Sequence, residues 1–109
     1  MILEIRTYRL KKGTRDEFVR VMRETLPLLA RHEITVVDCG PSIVDEDGLE
    51  EAFLMRAFRS LEERDAKERA FYGSDEWRTG PRDAVLSRIE SYHTIVIEVS
   101  DEAVQALRR

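Results

Sequence analysis

A chain of 109 residues is about one domain long and can close a single hydrophobic core. Its 42% hydrophobic and 37% charged residues describe a folded protein with a densely charged surface and exclude a disordered one. Eighteen basic residues against 22 acidic ones leave a net charge of only −4, and no basic stripe with interleaved aromatics appears, so nucleic acid is not an expected partner. The single cysteine, Cys39, excludes an internal disulfide and any multi-cysteine metal site. No apolar run is long enough to span a bilayer. The chain opens directly on MILEIRTYRL, without the apolar stretch of a signal peptide or a transit peptide, so a cytoplasmic protein is expected.

Ile2 to Leu10 alternates as a strand, with Leu3, Ile5 and Thr7 on one face and Ile2, Glu4, Arg6 and Tyr8 on the other. Thr14 and Glu17 are spaced as a capping box, and Phe18, Met22, Thr25, Leu26 and Leu29 then recur at helical steps to about His32. Pro27 falls inside this helix and should remove one hydrogen bond, ending or bending it. Ile34 to Val44 reads as a second strand, with a bulge or bend at Gly40-Pro41. A turn at Asp45 to Gly48 leads into a third strand, Glu51 to Phe58. Ser60 and Glu63 form a second capping box, opening a helix that runs to about Tyr72. Gly73 ends it, Ser74 to Glu76 begin a short turn or helix carrying Trp77, and Pro81 starts another through Ser87. Tyr92 to Val99 is the fourth strand, and Ser100 caps a brief last helix.

The order β-α-β-β-α-β predicts an α+β, ferredoxin-like fold over residues 1–109, an antiparallel sheet with both main helices on one face. The other face then needs a cover, because three of the four strands are apolar on both sides: Val36 opposes Val37 and Cys39, Leu54 and Phe58 oppose Phe53 and Met55, Val96 opposes Ile95 and Ile97. Too little chain remains to supply one beyond the short last helix. A homodimer with the two sheets face to face is the expected answer, with Leu54 and Phe58 taken as part of its interface.

The segments ILEIRTYRLKKGTRDEF, EEAFLMRAFRSLEERDAKERAFYGSDEW and IESYHTIVIE together resemble the NIPSNAP family, over Ile2 to about Glu98. The resemblance implies a dimeric α/β-barrel, a fold shared with small cofactor-free monooxygenases, haem-handling enzymes and stress-response barrels. It implies no settled chemistry, since fold does not fix function. A haem-degrading relative would carry an Asn on the first strand and a His on the second helix beside the Trp. This chain has Glu4, Arg6 and Thr7 on that strand and no His on that helix, so no haem or other cofactor is expected.

Glu4, Arg6 and Tyr8 share one strand face, and the third strand, its neighbour in this fold, brings Arg56 beside them. Buried charges must be paired, which leaves two readings. One is a polar pocket that holds an anionic or carbonyl-bearing ligand on Arg6 and Arg56, with Glu4 or Tyr8 relaying protons. The other is a self-satisfied ion network that fixes dimer register. His93, on the face of Ile95 and Ile97, is a candidate base or a satisfied core histidine. Tyr72, Trp77 and Phe71 either roof a cavity between helices and sheet or plug the end of the core. Glu62 to Asp65 read as a solvated helix face. The chain thus reads as a small-molecule-binding or interaction homodimer, with a cofactor-free, monooxygenase-like enzyme for a small aromatic or carbonyl-bearing substrate as the alternative.

Overall fold

The computed structural model describes residues 1–108. Its elements are β1 (Ile2–Leu10), α1 (Arg15–Arg31), β2 (Thr35–Pro41), β3 (Glu51–Phe58), α2 (Leu61–Tyr72), α3 (Asp75–Thr79), α4 (Arg82–Leu86), β4 (Ile89–Glu98) and α5 (Asp101–Leu107), with a single 3₁₀ turn at Glu46–Gly48. The strands form one antiparallel sheet in the order β2-β3-β1-β4. The ferredoxin-like order expected from the sequence is therefore present.

The alternation of β1 decides which residues meet the helices. Its even-numbered residues Ile2, Tyr8 and Leu10 pack with Phe18, Met22, Leu28 and Leu29 of α1, Phe71 of α2, Trp77 of α3 and Val85 of α4. Register carries the same face across the sheet. Glu4 stands opposite Arg56, Arg6 opposite Leu54 and Thr94, and Tyr8 opposite Tyr92. Leu54 and Phe58 lie under the helices and are buried, which removes them from the expected interface.

The odd-numbered face carries Ile5, Phe53 and Met55, all half-buried, with Ile95 and Ile97 exposed at 46% and 40%. Its other end is covered by α5, whose Val104 packs on Leu3, Val37 and Ala57. The last helix therefore does cross the open face, but over one corner only.

Several local expectations change. β2 stops at Pro41 instead of Val44, and its irregularity falls between Val36 and Asp38 instead of at Gly40-Pro41. The extra residue there, Val37, turns to the α5 side and returns Cys39 to the helix side, with Ile34. β4 begins at Ile89, three residues before Tyr92. α1 runs through Pro27 to Arg31, leaving the Arg23 carbonyl without its usual helical donor.

The start of α1 is capped from outside. The Thr14 hydroxyl donates to the Lys11 carbonyl, and the Glu50 carboxylate accepts the Gly13 and Arg15 amides at 2.6 and 3.0 Å. Those bonds hold the Glu50 carboxyl below its ordinary range. Ser60, Ser74 and Ser100 cap α2, α3 and α5 as expected. Glu50→Ala should lower the thermal midpoint more than Thr14→Ala in a melting experiment. The reverse order would return the cap to Thr14.

Candidate functional site

Three elements meet under the helix layer. β1 contributes Glu4, Arg6 and Tyr8, β3 contributes Arg56, and α2 contributes Arg64, Glu68 and Tyr72, spaced one turn apart so that all three point the same way. Glu4 and Arg56 are fully buried. Arg56 donates to Glu4 through two nitrogens, Nε to Oε2 at 3.0 Å and Nη2 to Oε1 at 3.1 Å, the bidentate fork that matches a carboxylate. The same Oε1 accepts from Arg6 Nη2 at 3.2 Å and from Arg64 Nη2 at 3.3 Å. One buried carboxylate thus holds three guanidiniums.

The arginines are further fixed from their other sides. The Tyr72 hydroxyl accepts from Arg56 Nη1 at 2.9 Å and, at the longer distance of 3.4 Å, from Arg6 Nη1. Arg6 Nε donates to Thr94 Oγ1 at 2.9 Å, and the guanidinium lies 5.0 Å from the centre of the Tyr92 ring.

Glu68 is the second carboxyl of the cluster. Its Oε1 lies 3.4 Å from Arg56 Nη2 and 3.9 Å from Arg6 Nη2. Its Oε2 lies 3.2 Å from Arg64 Nε, but the two are misaligned, and neither atom makes a hydrogen bond among the described residues. Glu68 also interacts with Glu4, and two neighbouring carboxyls disfavour a second negative charge. Burial alone would raise both. For Glu4, the bond from Glu68 and the charges of Arg56 and Arg6 outweigh burial and hold the carboxyl at about 2. For Glu68, burial and the bond to Glu4 outweigh Arg56 and Arg64 and push it up to about 7. Burial also pushes Tyr8 to about 12, so it stays a neutral phenol. Three guanidiniums against two carboxyls leave the cluster positive in either state of Glu68.

This cluster forms the polar part of a cavity of about 310 Å³ between sheet and helices. Arg6, Arg56, Glu68, Tyr8, Tyr72 and Tyr92 line it, and Met22, Leu29, Leu54, Phe71, Trp77, Val85 and Ile89 supply apolar wall. Apolar walls with a few convergent polar groups are the usual form of a small-molecule pocket. Tyr72, Phe71 and Trp77 pack tilted or edge-to-face at 4.9–5.3 Å between ring centres, and they line the space instead of filling it.

Of the residues singled out from the sequence, Arg6, Tyr8, Arg56, Tyr72 and Trp77 all reach the cavity, and Glu4 lies behind it as the anchor of the arginines. His93 does not. It pairs with Thr7 on the opposite face of the sheet and is exposed there. Glu68, Arg64, Thr94 and Tyr92 belong to the site without having been singled out. Arg64 was expected in solvent and turns inward to Glu4. The signal that could have found Glu68 is the four-residue spacing Arg64, Glu68, Tyr72 on α2.

The NIPSNAP family model matches residues 3–100. The chain belongs to the NIPSNAP family. No relative is found among curated proteins. Among solved structures, this NIPSNAP chain is similar to a NIPSNAP family protein of unknown function from Agrobacterium tumefaciens, with 25% identity, 92% of this chain and 88% of that one covered, and a TM-score of 0.73. It is also similar to an uncharacterized NIPSNAP domain protein from Burkholderia xenovorans, with 18% identity, coverage of 93% and 96%, and a TM-score of 0.77. A candidate antibiotic biosynthesis monooxygenase from Nitrosomonas europaea shares the fold at 17% identity, coverage of 91% and 98%, and a TM-score of 0.68. No helix among the described residues is long and apolar enough to cross a membrane.

Arg56→Ala should destabilise the fold by about 3–5 kcal/mol in urea unfolding, because it leaves the Glu4 charge buried without its fork, whereas a loss within about 0.5 kcal/mol would place Arg56 outside the ion network. The two carboxyls act oppositely with pH. Glu4, held below its ordinary 4.5, adds stability that is present above that value and is lost as the pH falls toward about 2. Glu68, raised above 4.5, binds its proton more tightly in the folded chain, so stability falls as the pH rises from about 4.5 to about 7. Glu68→Gln should remove that fall, gaining about 1–2 kcal/mol over the wild type at pH 8 relative to pH 5. Parallel curves for the two proteins would show that Glu68 titrates normally.

Proposed function

We propose that this NIPSNAP chain is a homodimer that binds a compact, largely apolar small molecule through an anionic or carbonyl head group. The observation that carries this reading is the cavity itself, with apolar and aromatic walls on one side and Arg6, Arg56 and Tyr72 on the other. A cluster that stays positive in both protonation states favours a negative or strongly polarised oxygen. Glu4 sits behind the arginines as a structural counter-charge and holds their positions. The ion network and the pocket are thus two aspects of one arrangement.

The dimer reading draws on the uncovered part of the odd-numbered face. Ile95 and Ile97 are exposed beside half-buried Ile5, Phe53 and Met55, and α5 protects only the far corner. A contiguous apolar area of this kind suits a two-fold contact in which the patch meets itself. His93 shares that face and would lie near the contact. A cytoplasmic setting is in keeping with one free, buried cysteine.

The alternative, a cofactor-free monooxygenase-like enzyme for a small aromatic or carbonyl-bearing substrate, draws on the fold shared with the Nitrosomonas europaea protein and on a titratable carboxyl in the cavity.

Calorimetric titration with benzoate, benzamide and benzylamine tests the ligand class. Benzoate should bind best and benzylamine least, and Arg6→Ala should weaken benzoate by roughly tenfold or more, the effect of losing a charge-assisted contact. Equal binding of benzylamine, or no binding of any of the three, would contradict the reading. Sedimentation of Ile95→Glu should show monomer where the wild type sediments as a dimer.

A further inference from the structure

The binding reading explains the arginines but leaves Glu68 without a task. A carboxyl needed only to balance charge would be ionised and saturated with donors, as Glu4 is. Glu68 is neither. One of its oxygens is buried without a hydrogen bond among the described residues, and its carboxyl lines the cavity beside the guanidiniums of Arg6 and Arg56.

The groups that face Glu68 are Glu4 and Arg6 from β1, Arg56 from β3, and Arg64 and Tyr72 from α2. Burial and the neighbouring Glu4 oppose its ionisation, while the arginines permit it, so both states of Glu68 are accessible near neutral pH. That is the condition under which a carboxylate works well as a general base. Close by stand donors suited to an oxygen that gains negative charge. Arg6 has N–H groups left over beyond its bonds to Glu4, Tyr72 and Thr94. Tyr72 receives guanidinium N–H groups on its oxygen, which leaves its own O–H free to donate into the cavity. The aromatic and aliphatic wall gives the cavity an apolar side suited to a ring.

We propose that Glu68 is a catalytic base that removes a proton from a carbon next to a carbonyl, so that the cavity interconverts the keto and enol forms of a small aryl keto acid. The inference rests on the binding reading above. In the step, the C–H electron pair becomes the new carbon–carbon π bond, the carbonyl π pair moves onto oxygen, and the proton passes to the Glu68 carboxylate. Arg6 and Tyr72 donate to the enolate oxygen. Glu68 then returns the proton to that oxygen, giving the enol, or to carbon. Keto and enol forms have the same composition, so nothing is oxidised or reduced and no co-reactant is needed.

Phenylpyruvate is a suitable probe, with a ring for the wall, a carboxylate for the arginines and an acidic methylene between them. Proton NMR in D₂O follows loss of the methylene signal, and saturation transfer reports binding separately. The wild type should speed the exchange over buffer by roughly 10²-fold, and the acceleration should grow as the pH rises through about 7. Glu68→Gln should still bind the probe and exchange it only at the buffer rate. Binding with no acceleration, acceleration independent of pH through that range, or full activity in Glu68→Gln would each overturn the proposal and leave the binding reading standing. The wild-type pH profile decides the matter if Glu68→Gln does not fold. Failure of the wild type to bind phenylpyruvate would overturn the binding reading, and this proposal with it.

Discussion

The buried ion network of this protein is arranged around the carboxylate of Glu4. It is fully buried, and an ionised carboxylate in that position is tolerable only with dense compensation. Arg56, Arg6 and Arg64 supply it from β3, β1 and α2, and Tyr72 and Thr94 hold two of these arginines from behind. A single negative charge therefore ties two central strands to the second helix. It also fixes where the guanidiniums point, and so the chemistry of the adjoining cavity.

The position of the second carboxyl follows from the same constraint. Burial, together with Glu4 ionised and satisfied beside it, disfavours Glu68 as an anion, although the surrounding arginines prevent its full suppression. One environment thus separates two glutamates, one fixed as a charge and the other left able to change state. Two carboxyls with separated pKa values in one cleft are a common basis for dividing structural and proton-transfer roles. The sheet separates two further roles. Its even-numbered face carries the cavity, and its odd-numbered face carries the exposed apolar side chains of Ile95 and Ile97.

The strand-helix order was legible because β1 alternates cleanly, α1 carries a strong apolar stripe, and Ser60, Ser74 and Ser100 stand where helices begin. The family was legible from segments spread over nearly the whole chain, and the match to residues 3–100 agrees with it. Glu4, Arg6, Tyr8 and Arg56 could be grouped because period-two spacing and strand order suffice to bring them together. Glu68 and Arg64 were not legible for a specific reason: the inward face of α2 is itself polar. Phe71 is the buried hydrophobic residue of that helix, so a search for apolar periodicity reads the Arg64-Glu68-Tyr72 stripe as solvated. The cap of α1 depends on Glu50, distant in sequence, and the bulge at Val37 carries no glycine or proline to mark it. His93 was grouped with the site by residue type, although its odd number already places it with Ile95 and Ile97 on the other face.

The most direct measurement is a pH titration of the glutamate side-chain carboxyl carbons by ¹³C NMR, with Glu4 and Glu68 assigned from Glu4→Gln and Glu68→Gln spectra. Glu4 should remain ionised down to about 2, and Glu68 should change state near 7. Two carboxyls titrating together near their ordinary 4.5 would contradict it, since neither the buried anchor nor the poised neighbour would then exist.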